Sequence, residues 1–155
     1  MAQRGIGDAF GGKRTTVDEQ REIWQEALHE DVIWEGPTFD PPLAFVGREA
    51  CGRFFELLLE TVPEFSTQLV SYWPTSDADT IIIESTGGGA TVDGGTYDQR
   101  YFSQITNKDG LAFRMREWCN PFETYQAFGE ERWKQRTAEI MAQHNVPWPE
   151  SQAKH

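Results

Sequence analysis

Glu117 is the side chain in this sequence best placed for proton transfer. It lies in a strand-like run, residues 111–119, which a turn containing Asp109-Gly110 joins to a second run, residues 96–106. If the connecting loop has an even number of residues, one face of this hairpin holds a single carboxyl group. That face carries Arg100, Phe102, Gln104, Phe113, Met115, Glu117 and Cys119. A loop of odd length would break this assignment.

The surroundings of Glu117 on that face suggest acid–base chemistry. A carboxylate surrounded by Phe and Met side chains loses hydration, which raises its pKa. A carboxyl group with a pKa near neutral pH both accepts and donates protons, so Glu117 is a candidate general acid or base. Arg100, nearly opposite, would hold Glu117 ionised and favour its role as a base. The alternative is a structural cross-strand ion pair, because such pairs also perturb pKa values.

The opposite face of the same hairpin is predicted to point away from Glu117. It carries Tyr97, Gln99, Tyr101, Ser103, Arg114, Arg116 and Trp118. The Tyr101 hydroxyl is able to donate a hydrogen bond to a carbonyl or an oxyanion. On this assignment, however, Tyr101 is expected to be a surface or dimer-interface residue.

The positions of the histidines do not favour a metal site or a Ser-His-Asp triad. His29 lies at the end of the first predicted helix, and His144 and His155 lie in the C-terminal tail. No strand predicted to line a pocket contains histidine. The glycines at 87–89 lack the Lys and the following Ser or Thr of a phosphate-binding loop. We therefore expect neither a metal nor another cofactor.

The composition favours a small-molecule protein over a nucleic-acid or membrane protein. The 155 residues include 25 acidic and 14 basic side chains, and the formal net charge of −11 disfavours nucleic acids, anionic membranes and polyanionic substrates. No signal peptide or membrane-spanning run is evident, so we expect a cytoplasmic protein. Cys51 and Cys119 show neither metal-ligand spacing nor a disulfide framework. Six Trp and ten Phe are enough to fill a core and to line a pocket for a small apolar or aromatic organic molecule.

The order of the predicted elements is that of an α+β fold with one sheet. A capping box at Thr16 and Glu19 begins the first helix, and Pro63 ends the second. Helices are predicted at 17–30, 47–62, 120–129 and 130–143. Strands are predicted at 32–34, 65–73, 80–86, 96–106 and 111–119, with a loop at 38–45 and a flexible Gly-rich connection or a bulged hairpin at 87–95.

These elements predict a single domain over residues 15–145. A flexible N-terminal arm, residues 1–14, precedes it, and an extended tail, residues 146–155, follows it. Helices packed on one face of one sheet are the natural arrangement for this order of elements. A sheet that is buried on one face is able to curl around a cavity.

Several ordered motifs resemble the SnoaL-like branch of the nuclear transport factor two-like superfamily. They are HEDVIWEGP at 29–37, FVGREA at 45–50, KDG at 108–110 and REWCNP at 116–121. Within the superfamily, the sequence resembles the phenazine-biosynthesis A/B proteins. That likeness rests on VPEF at 62–65, on Tyr101, and on the helix after REWCNP that ends in AFG at 127–129.

The resemblance implies a cone-shaped, curved and mostly antiparallel sheet with helices on its concave side, as in ketosteroid-isomerase-like folds. It also implies a pocket inside the cone and, usually, a homodimer. Glu117 matches the acidic residue that is the proposed general acid or base of the phenazine A/B proteins, whereas Gln68 stands where they have a pocket His. Gly36 stands at the position of the base in ketosteroid isomerases, which makes Trp34 a pocket wall or a core residue. The predicted pocket residues are Trp34, Phe54, Gln68, Phe102, Gln104, Phe113, Met115 and Cys119.

The leading functional hypothesis is a cofactor-independent enzyme of secondary metabolism that uses Glu117, with Arg100 beside it. The expected reaction is isomerisation, cyclisation, dehydration or condensation of a carbonyl or imine substrate. One alternative is an epoxide-hydrolase-like reaction, which needs a second acid such as Asp98. Another is a non-catalytic protein that binds a small molecule or dimerises. A homodimer is also expected from aromatic side chains on the exposed face, such as Trp118 and Tyr101.

Overall fold

The computed structural model describes residues 16–143, except for the side chain of Ile23. Its helices are α1 (Val17–Ala27), α2 (Arg48–Thr61), α3 (Pro121–Phe128) and α4 (Glu130–Ala142). Its strands are β1 (Leu28–Gly36), β2 (Leu43–Val46), β3 (Ser66–Pro74), β4 (Thr80–Ala90), β5 (Thr96–Lys108) and β6 (Leu111–Trp118). The predicted arm, residues 1–14, and the predicted tail, residues 146–155, lie outside the described residues.

The six strands form one curved sheet that does not close into a barrel. Their order is β2-β1-β6-β5-β4-β3, and β1 and β6 run parallel while every other neighbouring pair is antiparallel. Helix α2 packs on β1 and β2, and α3 packs on β5. The predicted α+β fold with a mostly antiparallel sheet is therefore confirmed. None of the helices in residues 16–143 is long and apolar enough to cross a membrane.

Helix α1 begins at the capping box that the sequence predicts. The Glu19 carboxylate accepts from the backbone N–H of Thr16 at 2.8 Å, and the Thr16 hydroxyl accepts from the backbone N–H of Glu19 at 3.2 Å. These two bonds satisfy N–H groups that have no partner inside the helix. One turn later Trp24 stacks on Phe55 of α2, with ring centroids 5.3 Å apart. The cap fixes the start of α1, and this stacking holds α1 against the middle of α2.

Helix α2 presents its apolar side chains to the sheet. Side chains four residues apart lie on one face of a helix, and Ala50, Phe54 and Leu58 are all buried. The Phe54 ring lies 4.5 Å from the ring of Trp34 on β1 and 4.6 Å from that of Phe45 on β2, between ring centroids. This aromatic contact joins α2 to the first two strands.

Two predicted connections are strands in the structure. Residues 38–45 are predicted as a loop, but Leu43–Val46 form β2 beside β1, where Phe45 is fully buried. Residues 87–95 are predicted as a flexible connection or a bulged hairpin; β4 continues through the glycines to Ala90 and forms a hairpin with β5 without a register shift. A Cβ atom on Gly88 would lie 2.0 Å from the carbonyl oxygen of Tyr97, so glycine lets the backbones approach closely here.

A β-bulge in the β5–β6 hairpin decides which side chains share a face. The two-residue turn at Asp109-Gly110 forms as predicted, with Lys108 opposite Leu111. The pairs Asn107–Ala112 and Thr106–Arg114 then leave one unpaired residue in β6, which is Phe113. An extra residue moves the following side chains to the other face of the sheet. The face assignment made for an even loop without a bulge is therefore wrong beyond the first two residue pairs.

The outer face of the sheet, away from the helices, holds a buried ionic cluster. Glu35 of β1 is 1% exposed and lies beneath two arginines of β6. Arg114 donates from Nε to the Oε2 atom of Glu35 at 2.9 Å and from Nη2 to the Oε1 atom at 3.2 Å, and Arg116 donates from Nε to Oε2 at 2.8 Å. The parallel register of β1 and β6 places these three side chains together. The cluster joins the two strands where their neighbouring residues Trp34 and Met115 face inward.

Candidate active site

A cavity lies between the helices and the inner face of the sheet, and the empty space there is about 940 Å³ when the open solvent at its mouth is included. Helix side chains such as Trp24, Phe54 and Trp133 form one wall, and β4, β5 and β6 form the other. Apolar atoms make up most of its surface, and polar groups come from Gln20, Thr67, Ser85, Tyr97, Tyr101, Ser103, Glu117, Cys119, Thr124 and the indoles of Trp24, Trp34 and Trp133. Such a cavity, mostly apolar with a few convergent polar groups, is typical of small-molecule sites.

Glu117 of β6 points into this cavity. The bulge at Phe113 places it opposite Ser103 of β5, and the Ser103 hydroxyl donates to the Oε2 atom of Glu117 at 3.1 Å. Burial raises the pKa of Glu117 to about 7, because the apolar walls disfavour the ionised form, and the bond from Ser103 opposes this rise. No Lys, Arg or His is among the described residues that line the cavity. Glu117 therefore exchanges a proton near neutral pH without a cation beside it.

A chain of hydroxyl groups lies next to Glu117. The hydroxyl oxygens of Tyr97 and Tyr101 are 3.0 Å apart, and the Tyr97 oxygen lies 3.3 Å from Thr124 Oγ1 on α3. Burial raises the pKa of Tyr97 to about 12 and holds that of Tyr101 well above its usual value. Both phenols are thus protonated donors at neutral pH. The expectation that Tyr101 lies at the surface or at a dimer interface is wrong, because the bulge turns its face inward.

The apolar wall is built from aromatic rings in mutual contact. Trp34 stacks on Phe45 at 5.5 Å between ring centroids and also contacts Phe54. A Cβ atom on Gly36 would lie 3.0 Å from the rings of both Trp34 and Phe39. The Trp34 and Phe39 rings therefore occupy the space that a side chain at position 36 would need.

Four of the predicted pocket residues line the cavity together with Glu117. Trp34 comes from β1, Phe54 from α2, Met115 from β6, and Cys119 from the segment after β6. Burial, together with the nearby Glu117 charge, raises the pKa of the Cys119 thiol to about 12. Cys119 is therefore a neutral thiol at physiological pH and not a thiolate nucleophile.

The other five site predictions do not line the cavity. Arg100, Phe102 and Gln104 lie on the outer face of β5, where Phe102 is 43% exposed. They were assigned to the pocket face because a hairpin without a bulge would place them beside Glu117. Phe113 is the bulged residue, and its ring contacts His29 and Lys108 instead. Gln68 is exposed on the outer face of β3, where it lines a separate shallow groove.

Arg100 forms an ion pair away from the candidate site. Its Nη1 donates to Oε1 of Glu84 on the neighbouring strand at 3.0 Å. Asp98 lies on the same outer face of β5 and is exposed. The arrangement of Arg100, Glu117 and a second acid that an epoxide-hydrolase-like reaction requires is therefore absent from the described residues.

The raised pKa of Glu117 predicts how replacing this side chain changes the stability of the protein. Its pKa rises from 4.5 to about 7 on folding, so the folded protein binds more protons than the unfolded chain between these values. The contribution of the neutral Glu117 carboxyl to the free energy of unfolding is fully present below the pKa that Glu117 has in the unfolded chain. It is lost as the pH rises through the pKa that Glu117 has in the folded protein. Since Gln carries no such proton, Glu117→Gln is expected to stabilise the protein at about pH 8 by up to roughly 3 kcal/mol and little at about pH 5. Denaturant unfolding across this range checks it, and a pH-independent difference would contradict it.

Several cavity residues were missed from the sequence. Ser103, Tyr97 and Tyr101 were placed on the wrong face, and Thr124 and Trp133 were not considered as site residues. A signal was present in β5 itself, where Asp98, Arg100 and Gln104 alternate with buried positions and mark the solvent face. That alternation depends on one strand alone, so the bulge does not affect it.

Comparisons with known proteins identify similar folds and sequences. The family model described as a SnoaL-like domain matches residues 15–115. PA3332, an uncharacterised PhzA/B-like protein of Pseudomonas aeruginosa, is 33% identical over 110 residues, which cover 68% of this chain and 77% of the relative. A crystal structure of a phenazine biosynthesis-related protein from Pseudomonas aeruginosa gives a TM-score of 0.66 at 18% identity, covering 81% of this chain and 78% of that one. A crystal structure named for a SnoaL-like polyketide cyclase from Jannaschia gives a TM-score of 0.60 at 19% sequence identity. The match covers 80% of this chain and 85% of that one.

Proposed function

Because this chain belongs to the family of SnoaL-like domains, we propose that it is a cofactor-independent enzyme of secondary metabolism that uses Glu117 as general acid and base. Its substrate is a small organic carbonyl or imine compound. Its reaction is an isomerisation, cyclisation, dehydration or condensation, of which the phenazine-type condensation is one member. The observation that carries the proposal is the Glu117 carboxyl inside an apolar cavity, with its pKa raised by burial to about 7.

In the proposed reaction, the Glu117 carboxylate removes a proton from the carbon next to the substrate carbonyl. The electron pair of that C–H bond forms a carbon–carbon double bond, and the carbonyl oxygen becomes an enolate oxygen. Glu117, now protonated, returns the proton to another carbon in an isomerisation or to a departing hydroxide in a dehydration. A carboxyl group with a pKa near 7 suits both halves of this cycle.

Tyr101 is the proposed donor to the enolate oxygen. In the proposed state Thr124 donates to Tyr97, Tyr97 donates to Tyr101, and Tyr101 donates into the cavity. The hydroxyl separations of 3.3 Å and 3.0 Å support this chain. A donor held in place before the reaction stabilises the developing negative charge without reorganising.

Proton exchange at a ketone tests the proposal without knowledge of the natural substrate. The probe is 2-tetralone, a flat ketone with acidic α-protons, incubated with the protein in D2O and followed by proton NMR. Exchange that the wild-type protein accelerates and Glu117→Gln does not would support the proposal. Saturable binding of 2-tetralone with no acceleration would contradict it and favour a binding protein.

We also propose that the chain forms a homodimer through the outer face of its sheet. An outer aromatic patch, defined by Trp73, Ile82, Phe102 and Trp118, lies there, with exposures of 43%, 37%, 43% and 39%. Trp73 and Phe102 stack at 6.2 Å between centroids, and Phe102 is directly opposite Trp118 in the sheet. Arg100 and Glu84 lie on the same face, so two copies related by a twofold axis can present opposite charges to each other.

Phe102→Glu is expected to convert the dimer into a monomer at micromolar concentration. The substitution puts a charge at the centre of the patch, where burying it against a second copy is unfavourable. Phe122→Glu is the matched control, because Phe122 is 76% exposed on α3, away from this face. Sedimentation equilibrium measures both variants. A wild-type protein that is already monomeric would refute the proposed interface.

A further inference from the structure

Ser85 of β4 carries a buried hydroxyl group that has no hydrogen-bond partner. Its side chain is 5% exposed and lines the cavity. Ser85 lies directly opposite Tyr101 of β5 and Leu69 of β3, so the register of the sheet directs it to the inner face. Within residues 16–143, Ser85 Oγ makes no hydrogen bond. Buried polar groups in native proteins are nearly always satisfied, so this hydroxyl needs an explanation.

The neighbours of Ser85 on the inner face do not supply a partner. Leu69 and Ile83 are hydrocarbon side chains, and Gly87 has no side chain. The Tyr101 ring leans toward Gly87, where an added Cβ atom would lie 3.0 Å from ring atom Cε2, and its hydroxyl meets that of another tyrosine at 3.0 Å. The sheet around Ser85 therefore leaves its hydrogen bond incomplete.

The Ser85 oxygen is accessible from the cavity. Within residues 16–143, the unpaired side-chain polar atoms that are fully enclosed are Thr38 Oγ1 and Trp133 Nε1. Ser85 Oγ is unpaired but is not one of these enclosed atoms, so it keeps accessible surface. The serine side chain consists of one carbon and one oxygen, and it points from the inner face of the sheet into the cavity that it lines. A ligand in the cavity therefore reaches this oxygen.

Ser85 and Glu117 lie far apart on the inner face of the sheet. Glu117 is opposite Ser103 of β5, and Ser103 is opposite Ile83 of β4, two residues before Ser85. At a strand spacing of about 4.8 Å and a rise of about 3.3 Å per residue, the Cα atoms of Ser85 and Glu117 are roughly 12 Å apart along the sheet. A ligand that meets both side chains therefore carries functional groups at opposite ends.

The surroundings of Ser85 determine the charge of the group that it binds. No Lys, Arg or His is among the described residues that line the cavity, and Glu117, their one carboxyl group, lies two strands away from Ser85. A charged group beside Ser85 would lose its hydration and gain a single hydrogen bond, which does not compensate. The serine hydroxyl both donates and accepts, so it suits an uncharged hydroxyl or carbonyl oxygen.

We propose that Ser85 is a specificity residue that binds an uncharged hydroxyl or carbonyl group at the end of the ligand remote from Glu117. The substrate is then a flat carbonyl compound with a second oxygen function across its ring system from the carbon that Glu117 deprotonates. This assignment of the two ends rests on the proposed function, whereas the hydrogen bond to Ser85 requires no catalysis.

Two tetralones that differ by one hydroxyl group test the inference through their binding. 6-Hydroxy-2-tetralone carries a hydroxyl at the opposite end of its ring system from the carbonyl, and 2-tetralone lacks it. The wild-type protein is expected to bind 6-hydroxy-2-tetralone at least about fivefold more tightly, and Ser85→Ala is expected to reduce this preference to within about twofold. Isothermal titration calorimetry measures both affinities. A preference that Ser85→Ala leaves unchanged would overturn the inference, as would a wild-type protein that binds the two tetralones equally or binds neither at millimolar concentration.

Two controls show whether the position of the hydroxyl matters. Ser71→Ala is the matched variant, because Ser71 lies opposite Glu84 on the outer face of the sheet, and the preference is expected to persist in it. 8-Hydroxy-2-tetralone carries its hydroxyl next to the CH2 group that joins the carbonyl to the aromatic ring, so Ser85→Ala is expected to change its affinity little. Equal losses of preference in Ser85→Ala and Ser71→Ala would overturn the inference, and so would equal dependence of both hydroxytetralones on Ser85.

Two further measurements separate this role from a structural one and from catalysis. Without ligand, Ser85→Ala is expected to keep the free energy of unfolding of the wild-type protein or to raise it slightly, because the hydroxyl that it removes has no partner. A clear decrease would contradict the inference by showing that the hydroxyl bonds within the protein. In Glu117→Gln the preference for 6-hydroxy-2-tetralone is expected to persist, so the catalytic proposal can fail while this one holds. A preference lost in Glu117→Gln and kept in Ser85→Ala would place the ligand hydroxyl at Glu117 and overturn the inference.

Discussion

Glu117→Gln is expected to slow the exchange of 2-tetralone α-protons by about 10²- to 10⁴-fold, the range that a positioned acid–base group contributes. Gln has nearly the same shape and can still accept from Ser103, but it has no titratable proton. The wild-type rate is expected to rise with pH through about 7, where Glu117 becomes ionised and able to act as a base. In the variant this dependence on enzyme ionisation is expected to disappear.

The matched control is Glu84→Gln, another glutamate-to-glutamine change, on β4, which β5 separates from the β6 strand that carries Glu117. Glu84 pairs with Arg100 on the outer face, so its replacement leaves the cavity unchanged. Exchange activity is expected to stay within about twofold of wild type, since the pair lies near the surface and contributes little. Equal losses in both variants would trace the effect to the fold and not to a proton-transfer role.

Glu35→Met is expected to lower the free energy of unfolding by about 3 to 5 kcal/mol, because it leaves two arginines partly buried without their carboxylate. Arg114 and Arg116 both donate to Glu35, and their side chains are 18% and 17% exposed. Met matches Glu in length, so little of the expected loss comes from a cavity. Chemical denaturation at neutral pH measures the difference.

A triple variant separates the uncompensated charges from the loss of an attractive contact. Glu35→Met combined with Arg114→Met and Arg116→Met is expected to regain most of the stability, since replacing a whole buried ionic cluster by apolar groups is often neutral or stabilising. A single variant as stable as the wild-type protein would show that water reaches the two arginines freely. It would also mean that this cluster does not hold β1 against β6.

Local sequence signals were sufficient for most elements, because each depends on residues close together in the chain. The Thr16–Glu19 capping box, the four-residue spacing of Phe54 and Leu58, and the Asp109-Gly110 turn all specify a backbone geometry by themselves. β2 was missed because its strand character comes from burial of Phe45 against Trp34 and Phe54, and those rings are distant in sequence.

The chemistry of Glu117 was predictable in kind, whereas its neighbours were not. Its residue type and its place in the last strand are properties of the sequence, and the resemblance to the phenazine A/B proteins pointed to the same position. The partners depend on register. Because Phe113 is unpaired, Ser103 and Tyr101 lie on the same face as Glu117, and Arg100 lies on the opposite face. The expected ion pair is therefore replaced by a network of hydroxyl groups.

By itself the sequence determined the fold class, the hairpin turn and a single acidic residue suited to proton transfer. It also determined the helices, except that α1 ends at Ala27 and residues 28–30, predicted as helix, begin β1. Tertiary structure alone decided that no cation accompanies this carboxyl among the described lining residues, and that Tyr101 lines the same cavity. The physical reason is that helix caps and tight turns are set by neighbouring residues. Strand faces, desolvation and unmet hydrogen bonds depend on which distant side chains the packed sheet and helices bring together.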